Sequence, residues 1–340
     1  MRKAIVIIVL LVIVFCFTQC NIILYGLNQG VGQLRIIRNA ESVESFLDSP
    51  DFPDSLKSKL LFIQEVRDYA IDSLGLKDSD SYKSVFNQNG EPVLWVISAS
   101  PPFHMEAYQW HYPILGNLGY KGFFDKKKAE KEKARLVLEG YDVSISEVNA
   151  WSTLGFFDDP IMSNMLYKSE GDLARLIIHE LTHSTLYIKD DADFNENLAT
   201  FIGDNGAIEF MNYKYGVNAE EVVKYLNSLA DIKKVSKHML RGAKQLDSLY
   251  NLIEAYPMHQ KQKLKQGNIN LILDMVDTLS LHNQLRVENI KNGEFLPNNA
   301  YFMTYIMYRE QQGDLEEQFK NEFKGNFKSF LEYLIGKYDS

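Results

Sequence analysis

The chain has 340 residues and a mass of 39.2 kDa, enough for one large domain or two of ordinary size. Hydrophobic residues at 46% and charged residues at 24% exclude disordered and collagen-like architectures. Against 36 Lys and Arg stand 45 Asp and Glu, a net charge of −9 that gives no general basic footprint for nucleic acid.

Met1-Arg2-Lys3 precedes an unbroken apolar run of 14 residues, Ala4 to Phe17. That length suits the h-region of an export signal, whereas a membrane-spanning helix needs about 20 residues. Both cysteines, Cys16 and Cys20, fall within the first twenty residues, so the rest of the chain holds neither a disulfide framework nor a thiolate metal cluster. Three readings stay open: a bacterial lipoprotein signal with Cys20 as the lipidated residue, an uncleaved anchor, or plain secretion. Gln19 stands where a lipoprotein signal prefers a small residue. All three readings export the body. Loss of Arg2 and Lys3 would bring the charge to −11, so contact with a membrane is expected through the N-terminus rather than through charge.

Residues 41–75 carry helical spacing, with Leu56, Leu60, Ile63, Val66 and Ala70 at threes and fours. Pro92 to Ile97 reads as a buried strand, Pro113 to Gly116 and Gly119 to Phe124 as strands or turns around glycine, and Asp125 to Glu139 as a charged, solvated helix. Tyr141 to Val148 alternates as a strand does. A strong helix follows over Gly171 to Tyr187, another over Phe194 to Phe210, and the chain beyond 218 is almost all amphipathic helix, broken near Pro257, Gly267 and Gly293. Sheet-forming material thus precedes residue 150 and helices mostly follow it, which predicts an α+β fold dominated by helix. The expected division is a signal or anchor over 1–20 and one domain over 21–340. Within that domain the sheet-containing part covers about 41–165, a zinc-binding core about 166–212, and a helical part about 213–340.

His179-Glu180-Leu181-Thr182-His183 is an H-E-x-x-H motif on the helix from Leu173 to Tyr187. Histidines four apart are separated by about 6 Å of rise and about 40° of rotation, so both imidazoles project from one face and can grip one zinc ion. Glu180, one step round the helix, can act as base toward a water held by that metal. Catalytic zinc takes a third protein ligand and keeps a fourth position open. No third histidine follows at the spacing of H-E-x-x-H-x-x-G-x-x-H. The better candidate is Glu196, 13 residues after His183, brought back by a helix–turn–helix through Lys189 to Asp193 as in a gluzincin. Asp190, Asp191 and Asp193 compete for the role, although turn and capping chemistry suits them first. One of them, or Thr200, is placed to orient a ligand histidine. His104, His111, His238, His259 and His282 lack ligand spacing.

The segment from His179 through Glu196 to Phe201 resembles the core of the bacterial putative aminopeptidases, envelope zinc metallopeptidases. The likeness extends to Tyr25 with Gly32-Gln33-Leu34, to Glu106, Trp110, Pro113, Gly116 and Tyr120 to Phe124, to Ser152 through Pro160, and to Asn298-Asn299-Ala300 with Tyr308. It implies His179, His183 and Glu196 as zinc ligands, Glu180 as base and a peptide substrate, with the body at the bacterial envelope. Exopeptidase action needs an anionic group for the free α-amine, and Glu106 is the candidate. Ser152 and Thr153 are expected as an edge strand along the substrate, Asn298 and Asn299 as further substrate contacts, and Tyr308 as the oxyanion donor. Two rivals are a zinc amidase or endopeptidase on another envelope substrate, and a non-catalytic scaffold with structural zinc.

Overall fold

The computed structural model describes residues 24–112, 116–148, 153, 157–283, 290 and 297–338. The chain is mostly helical (64%) with small sheets, as the segregation of strand and helix signals predicts for an α+β protein. In chain order come α1 (24–39), β1 (Ala40–Ser42), α2 (Val43–Asp48), α3 (Asp54–Asp72), β2 (Ser84–Phe86) and β3 (Leu94–Ser100). β4 (Trp110–Tyr112), β5 (Gly116–Leu118), β6 (Tyr120–Phe123), α4 (Lys126–Leu138), β7 (Asp142–Val148) and β8 (Ile161–Met162) follow. The helical remainder is α5 (Glu170–Thr185), α6 (Ala192–Tyr215), α7 (Glu220–Leu252), α8 (Met258–Asp274), α9 (Asn299–Arg309), α10 (Gln312–Asn321) and α11 (Phe327–Tyr338).

The sheet that matters for the site has the order β6-β3-β7, antiparallel throughout, with Leu94 opposite Val148 and Ser100 opposite Asp142. Its two faces have different work. Ile97, Ala99, Val143 and Ile145 point to Ala129 and Leu136 of α4 and close a small core. Leu94, Val96 and Ser98, on the alternate face, look toward α5 and α9. Asp125 starts α4 by accepting the backbone N–H groups of Lys127 and Lys128 at 2.8 and 3.3 Å.

The main core packs Leu60, Ile63 and Val66 of α3 against Leu173, Ile177 and Leu181 of α5 and Leu198, Phe201 and Ile202 of α6. A second core joins α7, α8 and α9 through Met239, Leu246, Ile272 and Phe302. α5 begins where the Ser169 hydroxyl accepts the Asp172 N–H, with Glu170 and Asp172 favourably placed against the helix dipole.

Several expectations shift in detail. The helical stretch over 41–75 is two helices parted at Ser49–Pro53, because Pro50 supplies no N–H to continue the first and Pro53 stands as the N-cap of the second. α8 runs unbroken through Gly267, where nothing crowds the backbone and propensity alone does not break the helix. β8 lies beyond residue 150, pairing parallel with β2. Gly293 and the Ala4–Phe17 run lie outside the described residues. Among the described residues no helix is long and apolar enough to cross a membrane.

Candidate metal centre

His179 and His183 stand one turn apart on α5 with their Nε2 atoms 3.2 Å from each other. The turn after α5 is fixed residue by residue. Asp190 takes a left-handed backbone (φ 63°) and its Oδ1 accepts the Asn117 N–H at 2.8 Å. Asp191 caps α6 through the Phe194 N–H at 3.1 Å. The Asn195 amide holds both backbone groups of Ile188, accepting at 2.9 Å and donating at 2.7 Å. α6 therefore returns alongside α5 and sets Glu196 against the histidines, its Oε2 lying 3.4 Å from His179 Nε2 and 3.5 Å from His183 Nε2.

Two further contacts hold that carboxylate in place. A Cβ at Gly203 would lie 2.8 Å from the Arg175 carbonyl oxygen and 3.1 Å from His179 Cβ, so glycine permits this closeness of α5 and α6. Asn197, fully buried, donates to the Met307 carbonyl at 2.7 Å and accepts the Gln311 N–H at 3.0 Å, tying the residue beside Glu196 to the end of α9.

The three ligand atoms form a group that could hold a metal ion. Burial by itself would raise the Glu196 carboxyl, but the two imidazoles outweigh it and hold it well below the usual carboxylate range. For His183 burial works downward, and the carboxylates of Glu196 and Glu180 overcome it to raise the imidazole. Glu180 is raised by burial, with Glu196 adding and the histidines opposing. Glu196 Oε2 and His183 Nδ1 are buried without a hydrogen-bond partner among the described residues. A cation fits that donor set: two imidazole nitrogens and a carboxylate oxygen converge within 4.8 Å of one another in a buried setting.

The group sits in a cleft of about 210 Å³, floored by Leu94, Val96 and Ser98 of β3 with Ser146 and Val148 of β7, and walled by Met303, Met307 and Tyr308 of α9. The Tyr308 ring stacks near that of His179 at 6.4 Å. Burial first, then the carboxylates of Glu196 and Glu180, push the Tyr308 phenol well up. Tyr120 also lines the cleft, its phenol raised by burial and by Glu196. The sequence marks Tyr120 as part of a strand or turn and of the family likeness, without a role at the site.

Other expected site residues have different surroundings. Glu106 is exposed between β3 and β4 and is not among the described residues that line the cleft. Thr153 forms no strand; its N–H and hydroxyl both bond the buried Asp159 carboxylate, at 2.9 and 2.8 Å. Asn298 caps α9 and donates to the Val143 carbonyl at 3.0 Å. Asn299 is fully buried, its amide shared among Pro101, His104 and Tyr250. Both asparagines fasten α9 to the sheet region, and neither lines the cleft. Ser152 and Cys20 lie outside the described residues.

Fold and site together define a mostly helical α+β protein with a His2Glu group at the foot of a cleft. A sequence model of the family described as "Putative aminopeptidase" matches residues 24–336, and the chain belongs to that family. No curated protein and no solved structure gives a significant match. The family points to peptide hydrolysis.

Proposed function

We propose that this is a zinc-dependent peptidase of the gluzincin kind, removing N-terminal residues from small peptides at the bacterial envelope, where its N-terminus anchors it. The observation that carries the reading is the size of the ligand triangle. Tetrahedral zinc with bonds of about 2.0–2.1 Å needs neighbouring ligand atoms about 3.3 Å apart. The edges here are 3.2, 3.4 and 3.5 Å. His179, His183 and Glu196 would hold the ion, which when bound supplies Lewis acidity toward a carbonyl and toward water. Glu180 lies beside the triangle without belonging to it. Its carboxylate takes the proton of the attacking water and returns it to the leaving amine. Tyr308, facing the same space from α9, donates to the oxygen on which negative charge develops. The apolar floor of Leu94, Val96 and Val148 excludes water from the substrate's flank.

Glu180→Gln is the test. Zinc content by elemental analysis stays at one per chain, while turnover of an N-terminally free peptide falls by about a thousandfold or more. Full zinc with undiminished turnover eliminates the base assignment. In the wild-type protein, cleavage confined to N-terminally blocked peptides eliminates the exopeptidase reading while leaving the metal site intact.

A further inference from the structure

α1 carries an apolar stripe that the body does not use. Leu24, Leu27, Val31, Leu34 and Ile37 are spaced at threes and fours, so they share one side of the helix, and all are exposed, Leu27 at 62% and Val31 at 68%. The opposite side is already docked. The Tyr25 hydroxyl donates to the Gly122 carbonyl at 2.9 Å, Gln29 donates to the same carbonyl at 2.5 Å, and Ile36 is buried in the main core. A Cβ at Gly32 would overlap the Phe124 ring, which shows how closely this side approaches the body. The outward stripe therefore needs a partner other than the fold.

We propose that the stripe is a lipid-surface contact, by which α1 lies along an anionic bilayer and fixes how the body faces it. This rests on the reading that the N-terminus is membrane-anchored. Two observations choose lipid over a second copy of the chain. First, the apolar run Ala4–Phe17 and then Cys20 precede the helix directly, so whether helix or acylated cysteine is the anchor, Leu24 is only a few residues from it. Second, the stripe has a cationic border. Arg35 and Arg38 are exposed on α1, and Lys128 of α4 reaches the Asn28 side chain at 2.5 Å. No acidic residue occurs in 24–39. In a chain of net charge −9 this local excess of cations matches an anionic headgroup layer, whereas an apolar seam repeated on a second copy would bring like charges together.

The full-length chain is reconstituted into vesicles of phosphatidylcholine and phosphatidylglycerol, with and without brominated acyl chains. Tryptophan is introduced singly as Leu27→Trp, Val31→Trp or, as an exposed control on α7, Leu252→Trp, and the wild-type emission is subtracted. The proposal requires bromolipid to quench roughly half or more of the added emission at 27 and 31 and to leave that at 252 unchanged. Unquenched emission at 27 and 31 from chains that float with the vesicles overturns it. If that result comes with chemical crosslinking of two chains through α1, the stripe belongs to a dimer. Wild-type chains that fail to float overturn the anchoring itself and the inference with it.

Discussion

The closeness of α5 and α6 at Gly203 makes Gly203→Ala a direct probe of the metal geometry. The added methyl would sit 2.8 Å from the Arg175 carbonyl oxygen, a backbone atom that cannot swing aside, and 3.1 Å from His179 Cβ. Ordinary carbon–oxygen contacts are about 3.3–3.6 Å and carbon–carbon contacts about 3.5–4.0 Å, so the helices must part by roughly half an ångström. Alanine in a helix gains about 1 kcal/mol over glycine. Overpacking costs about 1–3 kcal/mol. The two nearly offset, leaving the metal-free protein between unchanged and about 2 kcal/mol less stable. The ligand triangle has no such compensation. Metal distances tolerate only about 0.2 Å, and displaced supporting groups typically cost about 10- to 100-fold in metal affinity. We expect zinc affinity, titrated against a competing chelator, to fall by about tenfold or more while metal-free stability falls by no more than about 2 kcal/mol. Gly206→Ala is the control. Its methyl would meet the side-chain ends of Leu74 and Ile178, which can yield, and zinc affinity should hold. Unaltered affinity in Gly203→Ala together with a raised unfolding temperature would refute the idea that helix spacing sets the triangle.

Tyr308→Phe should lower kcat about 100-fold with zinc content and KM little changed; loss of zinc instead would mean that the phenol only orients Glu196. Asn197→Ala leaves the buried Met307 carbonyl and Gln311 N–H without their partner. Urea unfolding should register a loss of about 2–4 kcal/mol, and a loss under about 0.5 kcal/mol would discount the tie between α6 and α9. Glu132 bears on acid stability. Burial would raise its carboxyl, but hydrogen bonds from Arg135 and Trp110 and the charge of Lys121 hold it down to about 2. A carboxyl depressed in the folded state stabilises above its unfolded value and loses that contribution as pH falls through the folded one. With solvent screening, the stability advantage of wild type over Glu132→Gln should be on the order of 1–2 kcal/mol at neutral pH and shrink from about pH 5 toward pH 2. A difference that stays flat down to pH 3 contradicts that assignment.

The grouping of His179, His183 and Glu196 is legible in sequence because two of its members are fixed by helix periodicity and the third by one short turn. The supports of Glu196 are not equally legible. Asn195 and Asn197 flank it with the same residue type, yet Asn195 serves Ile188 nearby and Asn197 serves Met307 and Gln311, more than a hundred positions away. Periodicity carries no information about such a partner. Gly203 did leave a trace, since a glycine within a helical stretch signals a close approach that offsets its poor propensity. Asn298 and Asn299 mislead for the opposite reason. The family likeness at Asn298-Asn299 suggests substrate contacts, whereas here backbone carbonyls at the β3 end and on β7 need donors, and the two asparagines supply them.

β3 shows why the cleft itself escapes a reading by pattern. A run such as Val93-Leu94-Trp95-Val96-Ile97 lacks the alternation of a half-solvated strand, so both faces are expected to be covered. They are, but by different things. Ile97 and Ala99 are buried under α4, whereas Val96 and Ser98 remain half-buried because what covers them is the gap before α5 and α9. To the pattern, a face packed on a helix and a face lining a narrow apolar cleft look alike, since both remove the strand from bulk water. The distinguishing signal lies across the sheet. Ser98 and Ser146 put hydroxyls on the cleft side, and the serine opposite Ser98 is Ser144. Hydroxyls on a face otherwise built from Leu94, Val96 and Val148 would each need a partner inside a packed core. Facing an open cleft, they are free to meet the polar backbone of a peptide, the class of substrate to which the family points.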